Sequence, residues 1–253
     1  MHGMADEKKR KFKIRIRPSK RNYIGLFFSL VGFLLILLCL VGSRTGSGKG
    51  LHFARLIERP AGPLTIYIGW QGYCVEQGSS SNVECSTDDG VMMMPFDVNI
   101  AEKFNETYPH LFADPVEQDP DLNPDAQPNP PHNPKIYAGS ILCLLSGGAA
   151  TVVGLAWWIY YPQFQDKNYS RGFLAWMAAV LSLLLVAQSA VMYQNGIEQL
   201  NLVYPHLEAI QGPNLALVGV AFACYVIAGY TYLHGLFNTS DEEAALGDGY
   251  NPL

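Results

Sequence analysis

Two cysteines stand apart from the rest. Cys74 and Cys85 lie in a polar segment between apolar stretches, whereas Cys39, Cys143 and Cys224 lie inside such stretches. Facing an oxidising compartment, a pair so placed joins as a disulfide, and closing so short a loop stabilises by about 3 kcal/mol. The other three thiols read as small apolar packing residues. Carboxylates surround the pair, and Glu76, Glu84, Asp88 and Asp89 are the candidates for weak cation contact, with calcium as the ion. The spacing is not that of an EF-hand loop. Met92, Met93 and Met94 offer thioethers to soft copper, but no histidine or cysteine stands beside them, so packing or membrane-surface contact is the better reading. His52, His110, His132 and His206 occur singly, without metal-ligand spacing. Neither paired carboxylates nor a nucleophile with its base marks a span end. The expectation is a chain with no metal centre, no cofactor and no catalytic activity.

The elements that position these residues are membrane spans. Residues 23–43, 136–161, 172–194 and 213–237 are each long and apolar enough to cross about 30 Å of hydrocarbon as helix. A soluble helix of that length would show a polar face recurring every 3.6 residues. Phe27 to Val41 is instead apolar almost all round, relieved only by Ser29 and Gly32, and Val180 to Val191 is interrupted only by Ser182, Gln188 and Ser189. Lipid is the solvent that suits such faces. The formal net charge of -5 looks ordinary only because a long acidic segment offsets a basic one.

That basic segment orients the chain. Lys8, Lys9, Arg10, Lys11, Lys13, Arg15, Arg17, Lys20 and Arg21 are more than half of its 17 Lys and Arg, and they precede the first span. Positive charge beside a first span favours the cytoplasmic side. Residues 1–22 are then cytoplasmic, 44–135 extracellular, 162–171 a cytoplasmic turn, 195–212 a second extracellular loop and 238–253 a cytoplasmic acidic tail. The same cluster attracts anionic inner-leaflet lipids at roughly 1 kcal/mol per charge. Nucleic acid is not an expected partner, because the cluster adjoins a span and lacks interleaved aromatics. The first span is expected to remain as an anchor.

The 44–135 segment holds a small sheet and a linker. Leu64, Ile66, Ile68 and Trp70 alternate with Thr65, Tyr67, Gly69 and Gln71, a period of two that predicts a strand with one apolar face. Gly78 to Asn82 supplies a reversal, bringing Cys74 and Cys85 to opposite sides of it. From Asp114 onward closely spaced prolines predict an extended linker into the second span. Between Glu76 and Asp125 a field of carboxylates meets a single base, Lys103, and such a field concentrates cations. Asn105 begins the one glycosylation sequon that this topology exposes; glycan on Asn168 or Asn238 would contradict the map. Whether the second loop lends a strand to this sheet stays open, with Val203 and Tyr204 the residues suited to it.

Gly69-Trp70-Gln71-Gly72-Tyr73-Cys74, followed by Cys85, resembles the Gly-x-x-Gly-x-Cys…Cys signature of fungal claudin-like proteins associated with calcium regulation and membrane fusion. Four spans, inner termini and a large first outer loop fit the same family. The resemblance implies an all-α membrane bundle of four transmembrane helices with a small extracellular β-sheet, anchored through Trp70, Cys74 and Cys85. It implies action at the plasma membrane in low-affinity calcium influx and in cell fusion during mating or hyphal growth. Gln71 departs from the family, which usually has a hydrophobic residue there. Fungal cortical-patch tetraspans, membrane-domain scaffolds with a similar loop, are the nearest competitor. Tetraspanins are disfavoured because the 195–212 loop has no cysteine.

The spans themselves point to assembly. Gly139, Gly147, Gly148, Gly154, Gly219, Ala223 and Gly229 allow close helix approach, within one copy or towards other membrane proteins. Only Gln188, His234 and scattered Ser or Thr interrupt them, so a pore inside one four-helix unit is not expected, and a pore-forming subunit is the third reading. Trp157, Trp158, Tyr160 and Tyr161 are expected to form an interfacial belt, and His234 an interfacial histidine. Tyr250 to Leu253 matches a tyrosine-based endocytic signal, with a frayed tail as the simpler alternative.

Overall fold

A computed structural model describes residues 20–42, 49–59, 64–78, 83–87, 134–160, 163, 164, 166 and 168–237. Four helices are long and apolar enough to cross a membrane: α1 (Lys20–Val41), α2 (Pro134–Ile159), α3 (Ser170–Val203) and α4 (Asn214–Phe237). In chain order α1 packs on α2, α2 on α3 and α3 on α4, and α4 closes the ring on α1. The lipid-compatible exterior includes Phe27, Leu145, Val152, Val180 and Val191, all exposed.

Inside, large aromatics occupy slots left by glycine. The Tyr225 ring lies 3.1 Å from where a Cβ on Gly32 would stand, and its hydroxyl fills the space a Cβ on Gly147 would need. Tyr232 does the same against Gly25 (2.6 Å) and, through its hydroxyl, against Gly154 (2.6 Å). Packing of large against small is what holds helices together when lipid removes the hydrophobic drive.

The sheet has five antiparallel strands in the order β4-β3-β2-β1-β5: β1 (Ala54–Glu58), β2 (Leu64–Ile68), β3 (Gly72–Gln77), β4 (Val83–Thr87) and β5 (Leu207–Gln211). The two-residue period divides its faces. Ala54, Leu56, Leu64, Ile66, Ile68, Val75, Leu207 and Ala209 are buried in one hydrophobic core with Ile36, Tyr193, Leu200 and Val218 of the helices. The sheet therefore seats on one end of the bundle.

Two features depart from the sequence reading. The third span was expected to end at Gln194, yet α3 runs on to Val203, because Ile197 and Leu200 continue an apolar stripe that packs under the sheet. Its 34 residues make roughly 50 Å of helix, well beyond the hydrocarbon thickness. The first half of the second loop is thus helix, and the strand it lends is β5, not Val203 and Tyr204. Tyr204 instead closes the helix, its N–H donating to the Leu200 carbonyl.

Candidate functional site

The segment with the most specific sequence pattern forms the joint between sheet and bundle. After β2 the chain turns tightly, the Gly69 N–H donating to the Gly72 carbonyl at 2.8 Å. Gly72 holds φ 155°, a backbone conformation that L side chains rarely adopt. The turn sends Trp70 into the bundle, where it is fully buried. Its ring stacks on Phe53 with centroids 4.7 Å apart, and Phe53 stacks on Tyr193 of α3 at 4.9 Å. The indole Nε1 donates to Ser189 Oγ (3.3 Å), and the Tyr193 hydroxyl reaches the Gly69 carbonyl (3.5 Å). Gln71 is buried as well.

Two residues further on, the same segment serves the opposite face. Cys74 and Cys85 are directly opposed across β3 and β4 and joined as a disulfide. Cys74 shares its face with Tyr67, its partner across β2 and β3. The Tyr67 hydroxyl donates to Glu76 Oε2 (2.9 Å), Lys49 Nζ meets Glu76 Oε1 (2.6 Å), and the Arg55 guanidinium lies 5.6 Å from the Tyr67 ring centre. The Lys49 and Tyr67 hydrogen bonds hold the Glu76 carboxyl below the usual range. Burial, reinforced by the bond to Glu76, pushes the Tyr67 hydroxyl up.

Of the proposed carboxylates only Glu76 and Glu84 are among the described residues, and these two do not come together. Glu76 is already engaged by an ammonium and a phenol. Glu84 pairs with Val75, which faces the bundle, so alternation puts Glu76 and Glu84 on opposite faces. Asp88, Asp89 and the sequon at Asn105 lie outside the described residues, as do Lys8, Lys9, Arg10, Lys11, Lys13, Arg15, Arg17 and the tail bearing Tyr250. Among the described residues no three His, Cys, Asp or Glu converge as metal ligands.

The far end of the bundle holds a group that the sequence reading missed. Arg171 and Asp166 are both 4% exposed and paired at 2.9 Å. Asp166 also accepts from the backbone N–H groups of Ser170 (2.9 Å) and Arg171 (3.1 Å), capping α3. The Arg171 guanidinium lies 3.9 Å from the Trp157 ring centre and 5.3 Å from that of Tyr232. Trp157 is therefore not part of an interfacial belt. It is buried because α2 turns it inward under a cation, while Trp158 and Tyr160 remain exposed. Arg21 meets His234 at the same end. Asp166 stands four residues before the observed start of α3 and six before the expected one, outside the position where a sequence reading looks for a cap. At the sheet end, nothing in the pattern singled out Phe53, Tyr193 or Ser189 as partners of Trp70.

No family model and no curated protein matches the chain.

Proposed function

We propose that the chain is a plasma-membrane tetraspan of the fungal claudin-like type, with cytoplasmic termini, whose extracellular sheet promotes low-affinity calcium influx and membrane fusion. The observation that carries the reading is the double use of the Gly69–Cys85 segment: Trp70 locks the sheet to the bundle while the disulfide stiffens the strand pair on its other face. A rigid cap held at a fixed attitude to four spans suits assembly with other membrane proteins or with further copies. It acts on calcium by regulating a path, since Tyr225 and Tyr232 fill the interior of a single bundle. Nothing in this role calls for catalysis or a cofactor. The basic amino terminus holds anionic inner-leaflet lipids.

The test is deletion of the gene, with calcium uptake and cell fusion measured in the same cells. Both are expected to fall, to be restored by the intact sequence, and to stay low with Cys74→Ser/Cys85→Ser. Loss of neither would favour a cortical scaffold. Calcium current from the purified protein alone in planar bilayers would favour a pore-forming subunit.

A further inference from the structure

At the end of the bundle remote from the sheet, buried polar groups from three helices lack partners. Asn22 of α1, Trp157 of α2 and Arg171 of α3 are 3%, 5% and 4% exposed. Both polar atoms of the Asn22 amide, the Trp157 Nε1 and the Arg171 Nε find no hydrogen-bond partner among the described residues. They share a level. Arg171 lies over Trp157 and beside Tyr232, and Tyr232 fills the slot over Gly25, one turn from Asn22 on α1. Other unmet groups among the described residues include the Asn214 amide at the sheet end, the Tyr225 hydroxyl in mid-bundle and Arg55 Nε on the sheet; each stands at a different level.

Several dry donors at one level of the bundle are costly, so the arrangement calls for a polar guest. Its chemistry follows from the inventory. The Asn22 NH2, the indole N–H and the Arg171 Nε–H all donate, against one acceptor, Asn22 Oδ1. Asp166 already accepts from Ser170 N, Arg171 N and Arg171 Nη1, and it makes no bond to these atoms. The guest must be rich in acceptors. Charge agrees in sign, because Asp166 offsets Arg171 while Arg21 adds a cation at the same end.

We propose that this layer binds an oxyanion of the phosphate class, supplied by an anionic phospholipid of the adjoining leaflet. The exposed Tyr23, Ile24 and Phe27 of α1 and Trp158 and Ile159 of α2 offer apolar surface for its tails beside the site. The Tyr23 and Trp158 rings meet edge to face at 5.8 Å on that seam. The seat is distinct from general attraction to the basic amino terminus, and it stands whether or not the chain regulates calcium.

The experiment uses the full chain with Lys8, Lys9, Arg10, Lys11, Lys13, Arg15 and Arg17 all changed to Gln, so that tail attraction is removed. Delipidated protein is exchanged into micelles containing phosphatidylserine or phosphatidylcholine, and retained lipid is read by native mass spectrometry. Thermal unfolding is followed separately with inorganic phosphate alone. Phosphatidylserine is expected to remain bound in preference to phosphatidylcholine. Trp157→Phe, which keeps a ring under Arg171, and Asn22→Leu, which keeps the branched outline without the polar atoms, are each expected to lower retention about tenfold, as loss of a charge-assisted hydrogen bond would. An intact Cys74–Cys85 bond and monodisperse elution report that both variants are folded. A stabilising shift with inorganic phosphate, lost in both variants, supports the oxyanion seat with a free anion as occupant. Equal retention of both lipids with no phosphate shift, or retention unchanged in both variants, overturns the proposal and leaves a site holding water only.

Discussion

The two ends of the bundle solve opposite problems. At the sheet end, Trp70, Phe53 and Tyr193 stack ring on ring, and both the indole N–H and the Tyr193 hydroxyl have partners. At the far end an ion pair is buried under two aromatic rings, and donors around it find no partner among the described residues. Apolar stacking with each polar tip satisfied gives one rigid arrangement. A buried charge pair adds little net stability over apolar residues but tolerates the loss of one partner badly. Rigidity belongs to the sheet end, and sensitivity to charge and to a bound anion belongs to the other.

The largest effect expected from this contrast comes from splitting the pair. Arg171→Met leaves Asp166 buried without its cation and should destabilise the protein by about 3–5 kcal/mol. The double variant Asp166→Leu/Arg171→Met should recover most of that, less the roughly 1 kcal/mol of the lost α3 cap. Denaturant unfolding in mixed micelles measures both. A cost below about 1 kcal/mol for Arg171→Met would mean that the pair behaves as a solvated one, and the contrast between the ends would fail.

How much of this was legible follows from which interactions are local. Spans are written in runs of apolar residues, and the four stretches read from the sequence lie within a few residues of the four helices except at the end of α3, which runs on to Val203. The alternation from Leu64 to Ile68 reported β2 and its buried face because strand periodicity needs no distant partner. Strand β1 was not foreseen: Ala54–Glu58 gains its identity from β2 on one side and β5 on the other. For β5 a strand from the second loop was left open but not located at Leu207–Gln211, since its register is set by β1, some 150 positions away in sequence. Arg171 falls at the end of the turn read at 162–171, and its burial was not legible there because it depends on Trp157 and Tyr232 from two other helices. The aromatic run at 157–161 was legible as a belt only by composition; which ring turns inward is decided by the helix face.

A middle-sized effect tests how the sheet end protects its edge. The extension of α3 places Asn201 against β5, where its Nδ2 donates to the Ala209 carbonyl (3.1 Å) and its Oδ1 accepts from the Ala209 N–H (2.8 Å). These two groups point away from β1, and without a partner they would form an open sheet edge. Asn201→Ala should cost about 1–2 kcal/mol, the net worth of two hydrogen bonds. The Ala209 amide should exchange its hydrogen faster, and the variant should associate more readily through β5. Unchanged exchange at Ala209 would show that water or backbone already serves that edge, and the rigidity assigned to the sheet end would rest on the aromatic stack alone.

The smallest effect concerns pH. Because its folded carboxyl is held low, chiefly by Lys49 and then by Tyr67, Glu76 adds stability above the ordinary carboxylate range that is lost as pH falls through its depressed value. Tyr67 runs the other way: its raised hydroxyl keeps its contribution below the usual phenol range and loses it as pH climbs through the higher folded value. Lys49 is 45% exposed, so salt screens the pair and the gain is small. Glu76→Gln should therefore flatten the acid limb of the stability profile slightly and leave neutral stability almost unchanged. The far end differs in its exposure: Arg171 and Asp166 are both 4% exposed, so salt screens that pair far less than it screens Lys49 and Glu76. If Glu76→Gln abolished the acid limb altogether, the sheet end rather than the Arg171 layer would be the charge-sensitive region, and the assignment of the two ends would be reversed.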